Sequence, residues 1–300
     1  MPEVPARLLI KMGENTVTAL PEYRSFDVAV ENHIAHVQFS RPESMNSMNK
    51  DFWLELPRCL RDIETGTDAR VVVMSSTGKH FSAGMDLSVF SDADAVPMAG
   101  DPGRMAENLR RVVLQLQDCL SVLEQVRMPV LVAIQGGCVG GALDLVCAAD
   151  SRYCSQDAFF TIKETSLGMT ADVGTLQRLP KLMPQGLVRE LAYTGRNFSA
   201  WEAAEQGLVN RVYDDAESML AGVMEIAKEI AANSPLAVLG CKEMLNYSRD
   251  HSVEDSLKYM ATWQAGMFRH DDMMLSFQAK AKKKQADYPD LMPVKGLFEQ

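Results

Sequence analysis

The chain lacks the features that mark several large classes of protein. None of its apolar runs approaches the roughly 18 residues that a membrane-spanning helix needs, and residues 1–24 lack the apolar stretch of a secretory signal. The last four residues, 297–300, are not a peroxisomal address of the Ser-Lys-Leu type. These absences predict that the protein has no membrane partner, and they leave a cytoplasmic location as the expectation.

Positive charge is also scarce. Lys and Arg number 30 against 40 Asp and Glu, which gives a formal net charge of −10. Because nucleic acids bind clustered positive charge, we expect no nucleic-acid partner. The one run of lysines, Lys280 and Lys282 to Lys284, is more typical of a solvated helix face than of a phosphate contact.

Signatures of metal and nucleotide sites are missing. The six cysteines contain no Cys-x-x-Cys pair, which predicts reduced and mostly buried thiols. The five histidines show no ligand spacing, so we expect no metal and no resident cofactor. The chain has no P-loop, and the glycine string of residues 136–141 misses the spacing of a dinucleotide-binding turn.

An alternation of strand and helix patterns fills the first two thirds of the 300 residues. This alternation predicts an α/β fold, and the helical periods that follow predict a C-terminal helical region. We therefore divide the chain into a leader (1–24), an α/β core (25–215) and a helical region (216–300), with a mobile loop at 91–103. The predicted strands and helices are, in chain order, 26–30, 34–39, 49–64, 70–75, 104–126, 129–134, 142–149, 152–154, 158–162, 200–207, 216–232, 235–248, 252–266 and 271–285.

Two junctions combine a buried strand, glycines and the start of a helix. The first runs from Val71 to Leu87 and the second from Val130 to Gly141. Glycine permits close backbone approach, and a helix start presents N–H groups without internal partners. Two such junctions could direct one N–H each at a single oxygen and form an oxyanion hole. Tight turns without a catalytic role are the alternative interpretation.

Three carboxylates follow the second junction, and each has a structural alternative. Asp144 lies in the apolar start of a helix, where it could complement the helix dipole. Glu164 follows a short strand and could be a solvated strand end, and Asp172 could cap the next helix. A charge inside an apolar helix is costly to bury, so Asp144 is the hardest to explain structurally. Ser82, in the sequence His80-Phe81-Ser82-Ala83-Gly84, also leaves a serine hydrolase as a minor alternative.

A wider set of residues resembles the crotonase (enoyl-CoA hydratase/isomerase) superfamily, over residues 25–285. The likeness rests on the segments 81–87, 136–144, 156–160, 163–164 and 171–180, together with Arg41-Pro42 and Met45-Asn46. Within the superfamily, the dienoyl-CoA isomerases are the most similar. The resemblance implies a spiral of ββα units, an acyl-CoA thioester as substrate and a homotrimer or homohexamer built through the C-terminal helices. Coenzyme A would then be part of the substrate, not a cofactor.

The resemblance also implies a role for each site residue. The N–H groups of Met85 and Gly141 would form the oxyanion hole, Glu164 and Asp172 would carry protons, and Asp144 would support them. The same resemblance places coenzyme A against a binding segment made of Ala83, Gly84, Met85, Asp86 and Leu87, with Gly141 nearby.

Two departures from the hydratase pattern indicate the reaction. Enoyl-CoA hydratases usually have Glu in place of Asp144 and Gly in place of Asp172. The extra acid predicts isomerisation of a 3,5-dienoyl thioester to the 2,4-diene in the β-oxidation of unsaturated fatty acids. The alternatives are an enoyl-CoA hydratase, a Δ3,Δ2-enoyl-CoA isomerase and a non-enzymatic, RNA-binding or scaffold relative.

Overall fold

The computed structural model describes residues 20–91 and 100–294. Residues 1–19 of the predicted leader and residues 92–99 of the predicted loop lie outside the described residues. The strands are β1 (Phe26–Glu31), β2 (Ile34–Phe39), β3 (Val71–Ser76), β4 (Val130–Ile134), β5 (Gly137–Val139), β6 (Ser151–Ser155), β7 (Phe159–Thr161), β8 (Phe198–Ser199) and β9 (Arg211–Tyr213). The helices are α1 (Lys50–Gly66), α2 (Leu87–Ser91), α3 (Pro102–Gln125), α4 (Gly141–Ala148), α5 (Thr175–Arg178), α6 (Gln185–Thr194), α7 (Ala200–Glu205), α8 (Ala216–Ala231), α9 (Pro235–Asp250), α10 (Val253–Met267) and α11 (His270–Ala281).

The strands form two sheets. The larger has the order β1-β2-β3-β4-β6-β9, in which β1 is antiparallel to β2 and the remaining neighbours are parallel. The smaller has the order β5-β7-β8. The chain switches from the larger to the smaller sheet between β4 and β5, so Gly136 lies at the switch, Gly137 begins β5, and Gly140 and Gly141 connect β5 to α4. The predicted α/β architecture is confirmed.

The centre of the larger sheet is buried on both faces, which explains the nearly continuous apolar run of β3. Val72 and Met74 belong to the main core with α1 and α3, whereas Val71 and Val73 belong to a second core. Successive strand residues point to opposite faces, so both faces need apolar side chains. The second core is closed by α8, through its residues Met219, Val223, Ala227 and Ala231.

Local sequence signals set the ends of several helices. Asn49 caps α1 by accepting a hydrogen bond from the Phe52 N–H, and Asp215 and Ser218 form a capping box at the start of α8. Helix α8 belongs to the predicted C-terminal region, yet it packs on the larger sheet of the predicted core. The division of the chain between residues 215 and 216 therefore stays a prediction. The sequence does not predict β5, β8 and β9, because a strand of two or three residues shows no period. It does not predict α6 either.

The C-terminal helices differ from the rest of the chain in exposure. Neither α10 nor α11 contains a fully buried residue. Five of the six cysteines are buried and all six are free thiols, as predicted; the sixth, Cys241, is exposed. Lys280 and Lys282 to Lys284 are exposed at the end of α11. No helix in the described parts of the chain is both long and apolar enough to cross a bilayer.

Candidate active site

The two predicted junctions lie against each other. The Ser82 N–H donates to the Gly137 oxygen at 3.1 Å, and the Val139 N–H donates back to the Ser82 oxygen at 3.2 Å. These bonds join the segment after β3 to β5. The two glycine-containing segments that are far apart in the sequence therefore form one piece of backbone structure.

Glycine is required where these segments meet. Gly84 has φ +83°, and a Cβ there would lie 2.3 Å from the Val139 oxygen. A Cβ on Gly141 would lie 3.5 Å from the Met85 nitrogen, so the two predicted oxyanion donors are neighbours. Any larger residue at position 84 would force the two segments apart.

The N–H groups of Met85 and Gly141 have no acceptor among the described residues. Met85 lies beside Met48, whose backbone bonds go to Gly84 and Asp86 on either side of Met85. Gly141 begins α4, and the first N–H groups of a helix have no partner within it. Two adjacent unpaired donors match the requirement of an oxyanion hole, in which preorganised N–H groups stabilise a developing negative oxygen.

Glu164 lies beside Gly140, the residue that precedes one of these two donors. It follows β7 at the start of a 3-10 turn, and its Oε1 atom lies 3.0 Å from the Cβ position of Gly140. Its Oε2 atom is buried and has no hydrogen-bond partner in the described protein. Burial, followed by the charges of Asp144 and Asp172, raises the pKa of Glu164 to about 7. Glu164 is therefore not a solvated strand end.

Asp144 is completely buried in α4. Its Oδ1 atom accepts a hydrogen bond of 2.5 Å from the N–H of Thr175, the first residue of α5. Its Oδ2 atom has no partner in the described protein. Burial raises the pKa of Asp144 to about 6, against the lowering effect of the Thr175 bond. Asp144 lies in the first turn of α4 and also holds the first residue of α5 through this hydrogen bond.

Asp172 lies on the loop before α5 and is exposed. Gly174, not Asp172, is the residue that precedes α5, so the predicted capping alternative for Asp172 is wrong. The partial burial of its carboxyl still raises the pKa of Asp172. Asp172 also raises the pKa values of both Glu164 and Asp144, which shows that the three carboxylates are close enough to interact.

The predicted coenzyme A segment, residues 83–87, leads from the first junction into α2. The Asp86 carboxylate accepts hydrogen bonds from the Ser47 hydroxyl at 2.7 Å and the Ser88 N–H at 2.9 Å, and these bonds lower the pKa of Asp86. Each oxygen of this carboxylate therefore has a hydrogen-bond partner within the protein. Its role in binding coenzyme A stays a prediction.

The first junction is fixed by side chains whose function the sequence did not reveal. Asn46 has φ +50°, and its amide donates to the oxygens of Thr77 and His80 at 2.8 and 3.1 Å. The His80 Nδ1 atom accepts from the Gly137 N–H at 3.0 Å. The one sequence signal for this arrangement is the residue type of Asn46, because asparagine tolerates the left-handed backbone that a tight turn needs.

The hydrolase alternative does not fit this geometry. Ser82 is fully buried, its hydroxyl donates to the Asn46 oxygen at 2.8 Å and it has no imidazole partner among the described residues. A nucleophilic serine needs a base within hydrogen-bonding distance. Among residues 20–91 and 100–294, no group of three His, Cys, Asp or Glu side chains could hold a metal ion.

The sequence matches the model of the enoyl-CoA hydratase/isomerase family over residues 29–291. The chain belongs to this family. A solved structure of enoyl-CoA hydratase from Bacillus anthracis superimposes with a TM-score of 0.79 at 29% identity and covers 88% of this chain and 99% of that one. The crotonase fold predicted from the sequence is thereby confirmed.

Two curated relatives are more similar in sequence. The mouse protein named Delta(3,5)-Delta(2,4)-dienoyl-CoA isomerase, mitochondrial, is 46% identical over 87% of this chain and 81% of its own length. The Arabidopsis thaliana protein named Delta(3,5)-Delta(2,4)-dienoyl-CoA isomerase, peroxisomal, is 40% identical over 91% of this chain and 99% of its own. Neither name refers to the cytoplasm, so the cytoplasmic location of this family member stays a prediction.

Proposed function

We propose that this chain converts 3,5-dienoyl-CoA to 2,4-dienoyl-CoA in the β-oxidation of unsaturated fatty acids, with Glu164 and Asp172 as the two proton carriers. Its sequence makes it a dienoyl-CoA isomerase, because the mouse and Arabidopsis isomerases of that name are 46% and 40% identical over most of the chain. The observation that supports the site is the cluster of three interacting carboxylates beside two unpaired N–H donors.

The first step is removal of a proton from carbon 2. Glu164, when ionised, takes this proton, and the electron pair of the C2–H bond moves into the thioester to give a trienolate, in which the enolate is conjugated with both double bonds of the diene. The N–H groups of Met85 and Gly141 stabilise the enolate oxygen, an interaction worth about 3–4 kcal/mol per donor in comparable sites. The pKa of Glu164, raised to about 7 by burial, suits a general base at neutral pH.

The second step returns a proton at carbon 6. The negative charge of the trienolate extends over the conjugated chain to carbon 6, so Asp172, carrying a proton, can donate it there while the double bonds shift to positions 2 and 4. An acyl chain lying over exposed Asp172 would exclude water from it and favour the protonated form. Each turnover leaves Glu164 protonated and Asp172 ionised, and proton exchange with water restores both. The enzyme therefore gains one proton at Glu164 and loses one at Asp172, so its total number of protons is unchanged by a turnover.

Two carriers are needed because carbons 2 and 6 are several bonds apart. Asp144 completes the arrangement without touching either carbon: it fixes the start of α5 through Thr175, and its charge raises the pKa of Glu164. No step requires a redox group, since the reaction only moves a proton and two double bonds.

A paired substrate assay tests the reaction. Purified protein is incubated with 3,5-octadienoyl-CoA and, separately, with crotonyl-CoA, and the products are separated by chromatography. We expect conversion of the first thioester to the 2,4-diene and little hydration of the second. Hydration of crotonyl-CoA without any change in the dienoyl thioester would make the chain a hydratase and reject the proposal.

Variants at the two carriers test their separate roles. Glu164→Gln should lose both deuterium exchange at carbon 2 and isomerisation, whereas Asp172→Asn should lose isomerisation by about 100-fold or more and keep exchange. Asp214→Asn, at an exposed aspartate between β9 and α8, is the matched control. Normal isomerisation by Asp172→Asn would remove Asp172 from the mechanism.

We also propose that the chain forms a homotrimer, or a hexamer of two trimers, through its C-terminal helices. Apolar side chains on α10 and α11 are exposed in the single chain, including Val253 at 78%, Leu257 at 65% and Phe277 at 55%. Such surfaces are typical of contacts between subunits. Analytical ultracentrifugation should give three or six times the 33.2 kDa mass of the chain, and Leu257→Glu should reduce it; a monomer at micromolar concentration would contradict the proposal.

A further inference from the structure

The loop that carries Asp172 is held by side chains from one face of α3. The Gln117 amide donates to the backbone oxygen of Asp172 at 2.6 Å. Ser121 and Glu124 follow at positions i+4 and i+7, which places all three on the same face of the helix. Because Asp172 is itself exposed, its position depends on how the backbone around it is fixed.

Arg178, at the end of α5, connects this face of α3 to the loop. Its Nη2 atom donates to Glu124 Oε2 at 2.7 Å and to the Ser121 hydroxyl at 3.0 Å, and its Nη1 atom lies 3.5 Å from the Val173 oxygen. A Cβ on Gly174 would lie only 2.0 Å from Nη1. The guanidinium therefore packs directly on the two residues that follow Asp172.

The contact between Arg178 and Glu124 is largely shielded from water. Their side chains are 14% and 15% exposed. Burial alone would raise the pKa of Glu124, but the hydrogen bonds and charges of Arg178 and Arg249 outweigh it and lower that pKa. The rigid fork of an arginine fixes several acceptors at once, and a lysine offers only a flexible point charge.

The C-terminal helical region reaches the same glutamate. Arg249 of α9 pairs with Glu124 Oε1, and Asn246 donates to the Glu124 backbone oxygen at 3.2 Å. Lys242 donates to the oxygens of Leu123 and Met128 at 2.7 and 2.9 Å. These three residues also share one helical face, at positions i, i+4 and i+7. Helix α9 thus packs on the end of α3 where Glu124 contacts Arg178.

We propose that Arg178 and Glu124 are positioning residues that hold the Asp172 carboxyl over carbon 6, and that Arg249 links this position to the packing of the C-terminal helices. The inference rests on the proposed function, in which Asp172 acts at carbon 6 and Glu164 at carbon 2. It implies that loss of the Arg178–Glu124 contact impairs the second proton transfer and spares the first.

Arg178→Lys tests the inference, because it retains the positive charge and removes the fork. Isomerisation of 3,5-octadienoyl-CoA should fall about 30- to 100-fold in kcat, since small displacements of a reacting group have effects of this size. Deuterium exchange at carbon 2, measured by mass spectrometry, should stay within about threefold of the unmodified enzyme. Glu124→Gln should likewise lower isomerisation and spare deuterium exchange at carbon 2. Arg249→Gln should show a smaller loss of isomerisation, again without loss of exchange.

Arg196→Lys is the matched control. Arg196 forms ion pairs with two glutamates, Glu190 at 2.9 Å and Glu202 at 2.7 Å, so it too belongs to a cluster of three charged side chains. It lies between α6 and α7, and its side chain is 36% exposed. Equal loss of exchange and isomerisation in Arg178→Lys, or no loss of either, would overturn the inference. If Arg178→Lys does not fold, the same comparison of isomerisation with carbon-2 exchange is made in Glu124→Gln and Arg249→Gln.

A second measurement does not depend on the reaction. Backbone amide hydrogen exchange should become faster in the peptide that contains residues 171–175 in Arg178→Lys, and not in Arg196→Lys. If the unmodified protein fails to convert the dienoyl thioester, the proposed function is wrong, and this measurement still decides whether Arg178 fixes the loop. Unchanged protection of residues 171–175 would reject the positioning role.

Discussion

The two sides of the active site are built in different ways. On the side of Glu164, two backbone segments bond directly to each other through Ser82, Gly137 and Val139, and glycines bring them into contact. On the side of Asp172, the loop is fixed by side chains of α3 and α5, namely Gln117 and Arg178. The first side is buried backbone structure and the second is an exposed loop with side-chain supports.

This difference would allow the two proposed proton transfers to be disrupted separately. The backbone contacts of the first side hold the two proposed oxyanion donors, which both proton transfers need. The supports of the second side are individual side chains, so substitution can change them without moving the donors. We therefore expect damage to the first side to stop all chemistry, and damage to the second to stop only delivery of the proton to carbon 6.

The largest effect should come from breaking the first side at Gly84. In Gly84→Ala the new methyl group would meet the Val139 oxygen at 2.3 Å, at a φ of +83° that alanine disfavours. Displacement of the Met85 N–H should lower exchange at carbon 2 and isomerisation together, by about 100-fold. Both rates are measured in the same incubation in deuterated buffer.

Gly186→Ala is the control for this substitution. Gly186 lies in the first turn of α6, and a Cβ there would have no atom within 4 Å. Its activity should be normal, and its stability should rise by about 0.5–1 kcal/mol through better helix propensity. Normal carbon-2 exchange by Gly84→Ala would show that the contact between the two segments does not set the oxyanion donors.

A smaller effect should follow from loosening the second side at Lys242. Its side chain is 4% exposed, and its ammonium pairs with Asp150 Oδ2 at 2.9 Å in addition to donating to the backbone oxygens of Leu123, in the last turn of α3, and Met128, just after α3. Lys242→Met would leave these acceptors without their donor, which should lower the free energy of unfolding by about 3 kcal/mol. Urea unfolding curves at constant pH give the difference.

Lys228→Met is the matched control for Lys242→Met. Lys228 forms an exposed pair with Glu225, and such pairs contribute about 0–1 kcal/mol. In Lys242→Met that remains folded, isomerisation should fall more than exchange, because α9 packs on the end of α3. Equal stability of Lys242→Met and the unmodified protein would mean that this buried charge does not hold α9.

The two sides also differ in how far the sequence predicted them. The junctions were visible because strand, glycine and helix start follow one another over short stretches, residues 71–87 and 130–141. The contact of Arg178 with Glu124 joins residues 54 apart, and that of Asp144 with Thr175 joins residues 31 apart. No local period connects such pairs, so their roles emerged only from the fold. The residues of the carboxylate cluster were found, but the exposure of Asp172 and the support that Asp144 gives to α5 were not.

The smallest expected effect is a pH dependence of stability that belongs to the first side. The folded protein raises the pKa of Glu164 from 4.5 to about 7, chiefly through burial. Between these two values the folded state binds a proton that the unfolded state has released. The stabilisation is therefore complete below pH 4.5 and is lost as the pH rises through about 7.

Glu164→Gln should remove this dependence, because glutamine does not ionise. From pH 5 to pH 8 the unmodified protein should lose about 2.5 kcal/mol more stability than the variant, measured by urea unfolding at each pH. Glu205→Gln, at an exposed glutamate in α7, should follow the unmodified protein. Parallel curves for Glu164→Gln and the unmodified protein would show that Glu164 titrates as it does in water, and the buried first side could not then supply a base with a raised pKa.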